Sequence, residues 1–445
     1  MDIYRRVLDG TLYDVLDYEF HDERTSSGEY VPLRSRKPSV RYGLCRIVVD
    51  DSVALLFSEG HFPSVDTPDR DLLVFFGDLM QESRLNQVMT EAALRGSIGS
   101  VAIILRVLQN KVVFNVLDTT YLRPVFDPLQ PGILLRVTER YKVNGSDLAE
   151  QGYVVSDIET EYWFERQWDS NGEYWYLPYP TEQPDCVPDL DTSRSTEHRL
   201  GFVPIVWIQN LPGGDSVDGA CTFRAAIDTS IEIDYQLSQA GRGLKYSSDP
   251  TLLIKEPAGP DGDIIKGAGN ALVVSEKGDA KLLEIGGTAA SAVIEYVRTL
   301  REFALEAVHG NRVDASRLAA ATSGRAIELM QQGLIWLADN LRVAYGEAGL
   351  LPLLRMVLHA SQKYRLLVGG KEYSGLNAGS KMSLKWPNWL PSTADDRLKD
   401  AQALATLVNS NQISRESAVK AIADTYHIQD ISAELNRIAD EQEVK

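Results

Sequence analysis

Two long helical patterns, separated by a short β-rich stretch, constrain the fold of this chain more than any other feature of its sequence. The first pattern runs from Thr222 to Tyr246, and Asp249-Pro250 ends it, because a residue before proline is disfavoured in the helical conformation. The second pattern begins at its expected N-cap, Thr288, and is expected to end at Gly310. At 1.5 Å per residue the two helices would be about 40 Å and 30 Å long.

Apolar residues form a narrow stripe along each of these helices. The stripe residues are Ile227, Ile231 and Leu237 on the first helix, and Val293, Val297, Leu300 and Ala304 on the second. A narrow stripe on a long helix favours another helix beside it rather than a broad core. The spacing alone leaves two arrangements open. The helices could form an antiparallel hairpin inside one core, or they could stand side by side with the β-rich stretch at their far end.

Short strand patterns separated by glycine and proline fill the stretch between the helices. They lie at Thr251–Ile254, Asp263–Lys266, Ala271–Val274 and Lys281–Glu284. After the second helix, residues 311–322 are polar, and a third helix is predicted from Ser323 to about Ala344. A separate helical pattern, Leu350–Tyr364, follows Gly349.

The N-terminal half of the chain combines helical and strand patterns. Helices are predicted at 43–57 and 71–94, and strands at 100–107, 111–117, 133–137, 152–155, 159–168, 173–177 and 203–208. Asn171-Gly172 indicates a hairpin turn. The polar segment 21–38 is predicted to be an exposed arm or loop, and the segment 178–199 a loop or linker. Beyond a strand at 381–386, Thr393 and Ser414 are predicted to cap helices that end near Asn409 and Ala423, and a last helix covers 430–443. The fold class is therefore α+β.

Composition limits the classes of function. The formal net charge of −18 argues against a protein that reads DNA sequence, but not against one that surrounds DNA without gripping it. The three cysteines, Cys45, Cys186 and Cys221, fit neither a disulfide framework nor a zinc site, so free thiols in a reducing compartment are expected. No apolar run reaches the roughly 18 residues of a membrane span, and the N-terminus lacks a signal-peptide core. We expect a soluble chain made in a cytoplasm.

Several short stretches, taken in order, resemble the portal (head–tail connector) protein of tailed bacteriophages. They are Ile47–Asp50, Leu56-Phe57, Ala93–Gly99, Asp118–Pro128, Gly201–Val206, Asn210, Gly219, Ile227, Asp228, Tyr235, Thr322–Ile327, Trp386–Pro391, Asp395, Ala401–Leu404, Ile413-Ser414 and Glu434–Glu441. The resemblance covers the chain from about residue 40 to its end. No single motif among them is specific, so the resemblance depends on the ordered set.

The resemblance implies a dodecameric ring at one capsid vertex, through which double-stranded DNA is packaged and later ejected. The implied parts are a wing (1–220 and 323–392), two stem helices (221–249 and 288–309), a clip (250–287), a tunnel loop (310–322) and a helical crown (393–445). The stripe residues of the stem helices would pack against neighbouring helices of the ring. Such a protein belongs to the virion and assembles in the cytoplasm of a bacterial host.

The resemblance also implies which residues meet DNA and partners. The DNA-facing residues of the tunnel loop would be Asn311, Arg312, Asp314, Ser316 and Arg317, although Arg312 and Arg317 could instead pair with acidic residues of the ring. Arg242 and Lys245 are possible phosphate contacts on the first stem helix, although a solvated helix end that favours cations is the preferred explanation for them. The clip docking surface would be Pro257, Asp261, Asp263, Lys266, Asn270 and Lys277. The implied partners are the large terminase, a head-completion adaptor, and the major capsid and scaffolding proteins.

The sequence leaves two alternatives to a portal protein, which are an enzyme and a different viral ring protein. An aromatic cluster (Tyr162, Trp163, Trp168, Tyr174, Trp175, Tyr176) could form a stacking platform for sugars or bases, but aromatic residues are also ordinary strand residues. A carboxylate-based hydrolase would need an acid pair such as Glu159 and Glu161, while the six histidines show no ligand spacing. A different viral ring protein is the other alternative. No catalytic residue, metal, cofactor or membrane contact is expected.

Overall fold

The structure, a computed structural model, has the mixed α+β fold that the sequence predicts, with 45% of the described residues in helices and 23% in strands. It describes residues 1–58, 60–182, 187–215, 217–248, 251–257, 274–283, 288–310, 331–389, 394–423, 428 and 431–443. The chain divides into two compact units. The larger contains Met1–Asn311 and Gly333–Pro387, and the smaller contains Arg312–Gln332 and Asn388–Lys445.

Helices before residue 388 are α1 (Asp2–Asp9), α2 (Leu44–Phe57), α3 (Arg70–Glu82), α4 (Leu85–Gly96), α5 (Gly145–Glu150), α6 (Ile227–Ser248), α7 (Thr288–Ala307), α8 (Gln332–Leu341) and α9 (Leu351–Ala360). A π-helical segment, Arg342–Leu350, joins α8 directly to α9. The predicted break between two helices at Gly349 is therefore wrong. Gly349 instead lies inside the π-helical segment, where its Cα approaches the Ile208 side chain too closely for a Cβ.

Strands are β1 (Ser64–Asp66), β2 (Ser100–Leu108), β3 (Lys111–Leu117), β4 (Leu122–Phe126), β5 (Leu134–Asn144), β6 (Glu161–Trp168), β7 (Gly172–Tyr176), β8 (Tyr179–Pro180), β9 (Leu190–Glu197), β10 (Ile205–Gln209), β11 (Thr251–Pro257), β12 (Val274–Leu283), β13 (Leu366–Val368), β14 (Lys371–Tyr373) and β15 (Ser383–Lys385). An antiparallel six-stranded sheet has the order β4-β5-β6-β7-β9, with β8 paired to β6. A three-stranded sheet has the order β10-β2-β3. The pairs β1–β15, β11–β12 and β13–β14 are separate ribbons.

Two predictions for the N-terminal half are wrong in detail. Residues 152–155 are not a strand: α5 precedes them, and Tyr153 packs into a small apolar cluster from a loop. The predicted loop 178–199 contains β8 and β9, because the polar sequence of β9 gives no apolar alternation yet pairs with β7. The hairpin predicted at Asn171-Gly172 is confirmed by the pairing of β6 with β7.

Segment 21–38 is a loop, as its polar composition allows, but it contains a buried arginine. Arg36 is only 2% exposed, and its guanidinium donates hydrogen bonds to the carbonyl oxygen of Val31 at 2.7 and 3.0 Å and to that of Phe20 at 3.4 Å. Backbone carbonyls thus satisfy a buried cation, as buried polar groups require. The segment is a folded loop built around one arginine.

The two larger sheets pack face to face. Trp168 of the six-stranded sheet is fully buried in a cluster that includes Ile104 and Ile205 of the three-stranded sheet. Beside this cluster, Glu173 accepts a hydrogen bond at 2.9 Å from Arg106 of β2, and Arg166 of β6 lies 3.6 Å from the same carboxylate. The aromatic residues of this sheet therefore serve its packing, as strand aromatics do. Glu159 lies in the loop before β6 and shares no strand with Glu161.

The smaller unit is helical where it is described. Its helices are α10 (Ala394–Asn409), α11 (Arg415–Ile422) and α12 (Ile431–Glu443), close to the predicted bounds. The predicted cap at Ser414 is confirmed, since its hydroxyl oxygen accepts a hydrogen bond from the Ser417 amide at 3.1 Å. The predicted cap at Thr393 lies outside the described residues. Apolar side chains of the three helices, including Leu404, Val419 and Ile438, line a groove of about 800 Å³.

Candidate functional site

Helices α6 and α7 pack against each other and form, with the β11–β12 ribbon between them, the candidate site. All seven predicted stripe residues are at least half-buried: Ile227, Ile231, Leu237, Val293, Val297, Leu300 and Ala304. Ala304 is 2% exposed, and Ile227, Leu237, Val297 and Leu300 pack against the main apolar core. The stripes therefore face inward along the helix pair.

Other faces of the same two helices carry large apolar side chains in contact with water. On α7, Phe303 is 62% exposed, and Tyr296 and Ile294 are nearly half exposed; on α6, Leu244 is equally exposed. Tyr296 and Phe303 are seven residues apart and so share a face of the helix. Along α6, Ser238 is the last fully buried residue among those whose side chains are described. The pair is thus embedded in the core of the larger unit only at the end formed by the start of α6 and the end of α7.

The β11–β12 ribbon joins the two helices. Its strands are antiparallel, with Thr251 opposite Leu283 and Ile254 opposite Ala280. Every side chain described on it, including Lys277 of the predicted docking surface, is exposed. Pro257 ends β11 opposite Val274. Asp261, Asp263, Lys266 and Asn270, and the predicted strand Asp263–Lys266, lie outside the described residues.

Asp234 fixes the first part of α6 to the N-terminal segment. Its two carboxylate oxygens accept hydrogen bonds from the Tyr13 hydroxyl at 2.8 Å and from the Tyr42 amide at 2.7 Å. Next to it, the Ser238 hydroxyl oxygen accepts from the Val40 amide at 3.0 Å, and the Tyr235 hydroxyl donates to the Arg36 carbonyl at 2.9 Å. Burial raises the pKa of the Asp234 carboxyl above its ordinary value of 3.8, against the opposing effect of these donors.

Asn210 fixes the segment that leads into α6. It is 1% exposed, and its amide nitrogen donates to the Thr222 hydroxyl at 2.8 Å and to the carbonyl of Ala220 at 2.9 Å. Its amide oxygen accepts from the hydroxyl of Tyr345, in the π-helical segment, at 2.9 Å. Its backbone amide donates to the Gly99 carbonyl at 2.9 Å. One buried side chain therefore connects the segment before α6 to the π-helical segment between α8 and α9.

The C-terminal end of α7 differs from its prediction. The residue in the left-handed conformation is His309, with a φ of 54°, rather than Gly310. The Gly310 amide donates to the Leu305 carbonyl at 2.8 Å, which is the six-to-one bond of a Schellman motif. Gly310 is needed for another reason: a Cβ there would lie 2.9 Å from the Val48 side chain of α2.

Predicted DNA contacts fall in three places. Arg242 forms a salt bridge with Glu23 of the N-terminal segment. Lys245, three residues later, is exposed. Asn311, Arg312, Asp314, Ser316 and Arg317 lie outside the described residues.

Other chemistry is sparse in the described part of the chain. No group of three or more His, Cys, Asp and Glu side chains there is placed to hold a metal ion. None of the helices described combines the length and apolar content that crossing a bilayer requires. Burial raises the pKa of Cys45 to about 12 and that of Cys221 to about 11, so both thiols stay protonated at neutral pH. Cys186 lies outside the described residues.

Comparison with known proteins gives one family, and solved structures resemble the chain only weakly. A sequence model of the family described as "Phage portal protein, SPP1 Gp6-like" matches residues 32–444. No curated protein matches the chain. A chain in the virion of a native gene transfer agent particle is 12% identical with a TM-score of 0.38, and one in the neck of an empty particle, computed with C6 symmetry, is 11% identical with a TM-score of 0.41. Both alignments cover 85% of this chain and 88% of the other. Structural likenesses with TM-scores this low support no conclusion about the function of this chain.

We expect Asn210→Ala to destabilise the larger unit by about 3 kcal/mol, because it removes several buried hydrogen bonds and leaves their partners unsatisfied. Tyr345→Phe removes only one of these bonds and should cost about 1 kcal/mol. Chemical denaturation followed by tryptophan fluorescence measures both. Equal effects of the two variants would show that Asn210 does not organise the network.

We expect Asp234→Asn to stabilise the fold increasingly as pH rises from 4 to 7. Because burial raises the pKa of Asp234, the folded chain holds its proton more tightly than the unfolded chain, and the unfolding free energy falls as the carboxyl ionises. Asparagine cannot ionise and avoids that loss. The readout is the thermal midpoint of the variant minus that of the wild type, measured across this range. Asp228→Asn, on the exposed face of the same helix, is the control, and a difference that shrinks with rising pH would contradict the account.

Proposed function

We propose, because the chain belongs to the SPP1 Gp6-like family of phage portal proteins, that it assembles into a ring of about a dozen copies around a channel for double-stranded DNA. The observation that carries this proposal is the α6–α7 pair. Each helix turns one apolar stripe inward and leaves other large apolar side chains in water. Burying a side chain such as Phe303 or Tyr296 is worth about 1.5–3 kcal/mol, and neighbouring copies around an axis could supply the surface.

Charge supports a channel that does not grip its cargo. A formal net charge of −18 per chain would repel phosphates and let duplex DNA slide. In this proposal α6 and α7 are the stem, and Lys245 is the candidate phosphate contact on it. Arg242 would first have to leave Glu23, so we rank it below Lys245. The tunnel-loop residues Arg312 and Arg317 remain predicted contacts.

Partners would bind at the ribbon between the two stem helices. Its side chains Lys255, Lys277, Asp279 and Lys281 are exposed, and a two-stranded ribbon has two open edges that can pair with another chain. We assign it as the clip, which would dock the packaging terminase first and a head-completion adaptor later. The helices α10 to α12 would form the crown, and the remaining larger unit the wing. The assembled ring would sit in the virion, among the capsid and scaffolding proteins, after assembly in the host cytoplasm.

Mass photometry of the purified full chain tests the proposal. The expected species is close to twelve times the chain mass of 49.4 kDa, and negative-stain images of it should show a ring with a central hole. A single 49.4 kDa species at micromolar concentration would overturn the proposal.

A further inference from the structure

We propose that neighbouring copies join head to tail through two complementary patches at opposite ends of the six-stranded sheet. This inference rests on the proposed ring and names surfaces that would build it. The hairpin patch, on the β4–β5 hairpin, consists of Arg123, Val125, Leu129, Ile133 and Arg136. The loop patch, around the α5–β6 connection, consists of Glu150, Val154, Asp157, Ile158 and Glu159.

The hairpin patch presents apolar side chains from an ordered loop. Leu129 is 89% exposed, and Val125 and Ile133 are also exposed. The Asp127 carboxylate accepts hydrogen bonds from the amides of Leu129 at 2.8 Å and Gln130 at 3.3 Å, and the Asp127 amide donates to the Ile133 carbonyl at 2.9 Å. These bonds hold Leu129 at the tip before any partner arrives, which lowers the entropy lost on docking.

Two cations flank this apolar tip. Arg136 lies opposite Val125 in the strand register, and Arg123 is two residues from Val125, so all three are on one face of the hairpin. Both arginines are exposed, and neither forms a salt bridge with a described residue. Although β4 is an edge strand, Pro124 removes one of its amide donors. The patch is therefore suited to docking through side chains rather than through strand addition.

The loop patch has the opposite charge and similar apolar character. Val154 is fully exposed and Ile158 is 58% exposed, and the acidic residues Glu150, Asp157 and Glu159 around them are exposed as well. Within the described chain, none of these three carboxylates is in a salt bridge. Opposite charges around apolar centres make the two patches complementary.

This loop is also held in place. The Ile158 carbonyl accepts from the Ser146 amide at 2.9 Å, and the Asp157 amide donates to the buried Tyr162 hydroxyl at 3.0 Å. Gly145 is needed here, because a Cβ would clash with the backbone of Asp157 and Ile158. The acidic and apolar side chains of the loop are therefore preorganised as well.

Topology separates the two patches and decides how they can meet. The strand β5 begins beside the hairpin patch at Leu134 and ends at Asn144, where α5 leads into the loop patch. Its 11 residues span roughly 35 Å. Because the two patches lie at opposite ends of one sheet, they cannot contact each other within a subunit. In the proposed ring, the hairpin patch of one copy contacts the loop patch of the neighbouring copy. A head-to-tail contact of this kind generates a ring when the rotation closes.

Charge reversal at each patch tests the inference. R123E/R136E reverses the hairpin patch, and E150K/E159K reverses the loop patch while keeping Asp157, whose carboxylate supports the turn. Each variant alone should need a concentration at least about tenfold higher than wild type for half of the chains to enter rings, as read by mass photometry. Mixed in equal amounts, the two variants should assemble near the wild-type concentration, because each reversed patch then meets its reversed partner.

A matched control changes the same charge elsewhere. K111E/K371E alters net charge as R123E/R136E does, at two exposed lysines outside both patches, and should assemble like wild type. Wild-type assembly by both single-patch variants, failure of the mixture, or equal loss in the control would each overturn the inference. The mixture also verifies that both variants fold. If the wild type forms no ring under any condition, it is the proposed function that fails.

Discussion

The buried amide of Asn210 is the constraint on which the arrangement of the larger unit depends. A residue that is 1% exposed must have its polar atoms paired, and the partners of the Asn210 side chain and backbone amide come from three separate parts of the chain. They are the Gly99 turn before β2, the Ala220–Thr222 segment before α6, and Tyr345 in the π-helical segment. Asn210 thereby fixes the segment before α6 relative to the π-helical segment that contains Tyr345.

Beyond the segment that Asn210 anchors, α6 and α7 extend out of the apolar core. Their stripe residues are buried, while Tyr296 and Phe303 on the other side of α7 are not. The Asp234 contacts, with Tyr13 and Tyr42, hold only the first part of α6. In a ring, each copy would cover the exposed apolar side chains of the next copy. In a monomer, the same side chains would stay in contact with water. In the proposed ring, the opposite charges of the hairpin and loop patches would supply a second contact between copies, which matters for a chain with a net charge of −18.

Periodicity and end signals predicted the long helices well. The predicted second helix starts at Thr288 as observed, the cap at Ser414 is confirmed, and the fold class is confirmed. Sequence patterns failed where tertiary contacts decide. The polar strand β9 has no apolar alternation, and Arg36 is buried because backbone carbonyls happen to surround it. For the candidate site, the stripe residues are at least half-buried, and their packing against neighbouring copies stays a prediction. The pairing of Arg242 with Glu23 and of Asp234 with Tyr13 joins residues about 200 positions apart, and no local pattern signals it.

The central claim is that α6 and α7 of each copy surround a common opening. A cryo-EM reconstruction of the purified full chain that resolves helices tests it most directly. The account predicts both helices lining the opening around the symmetry axis, with Tyr296 and Phe303 covered by an adjacent copy. A reconstruction in which these helices lie far from the axis, or in which Tyr296 and Phe303 remain in solvent within a closed assembly, would contradict it.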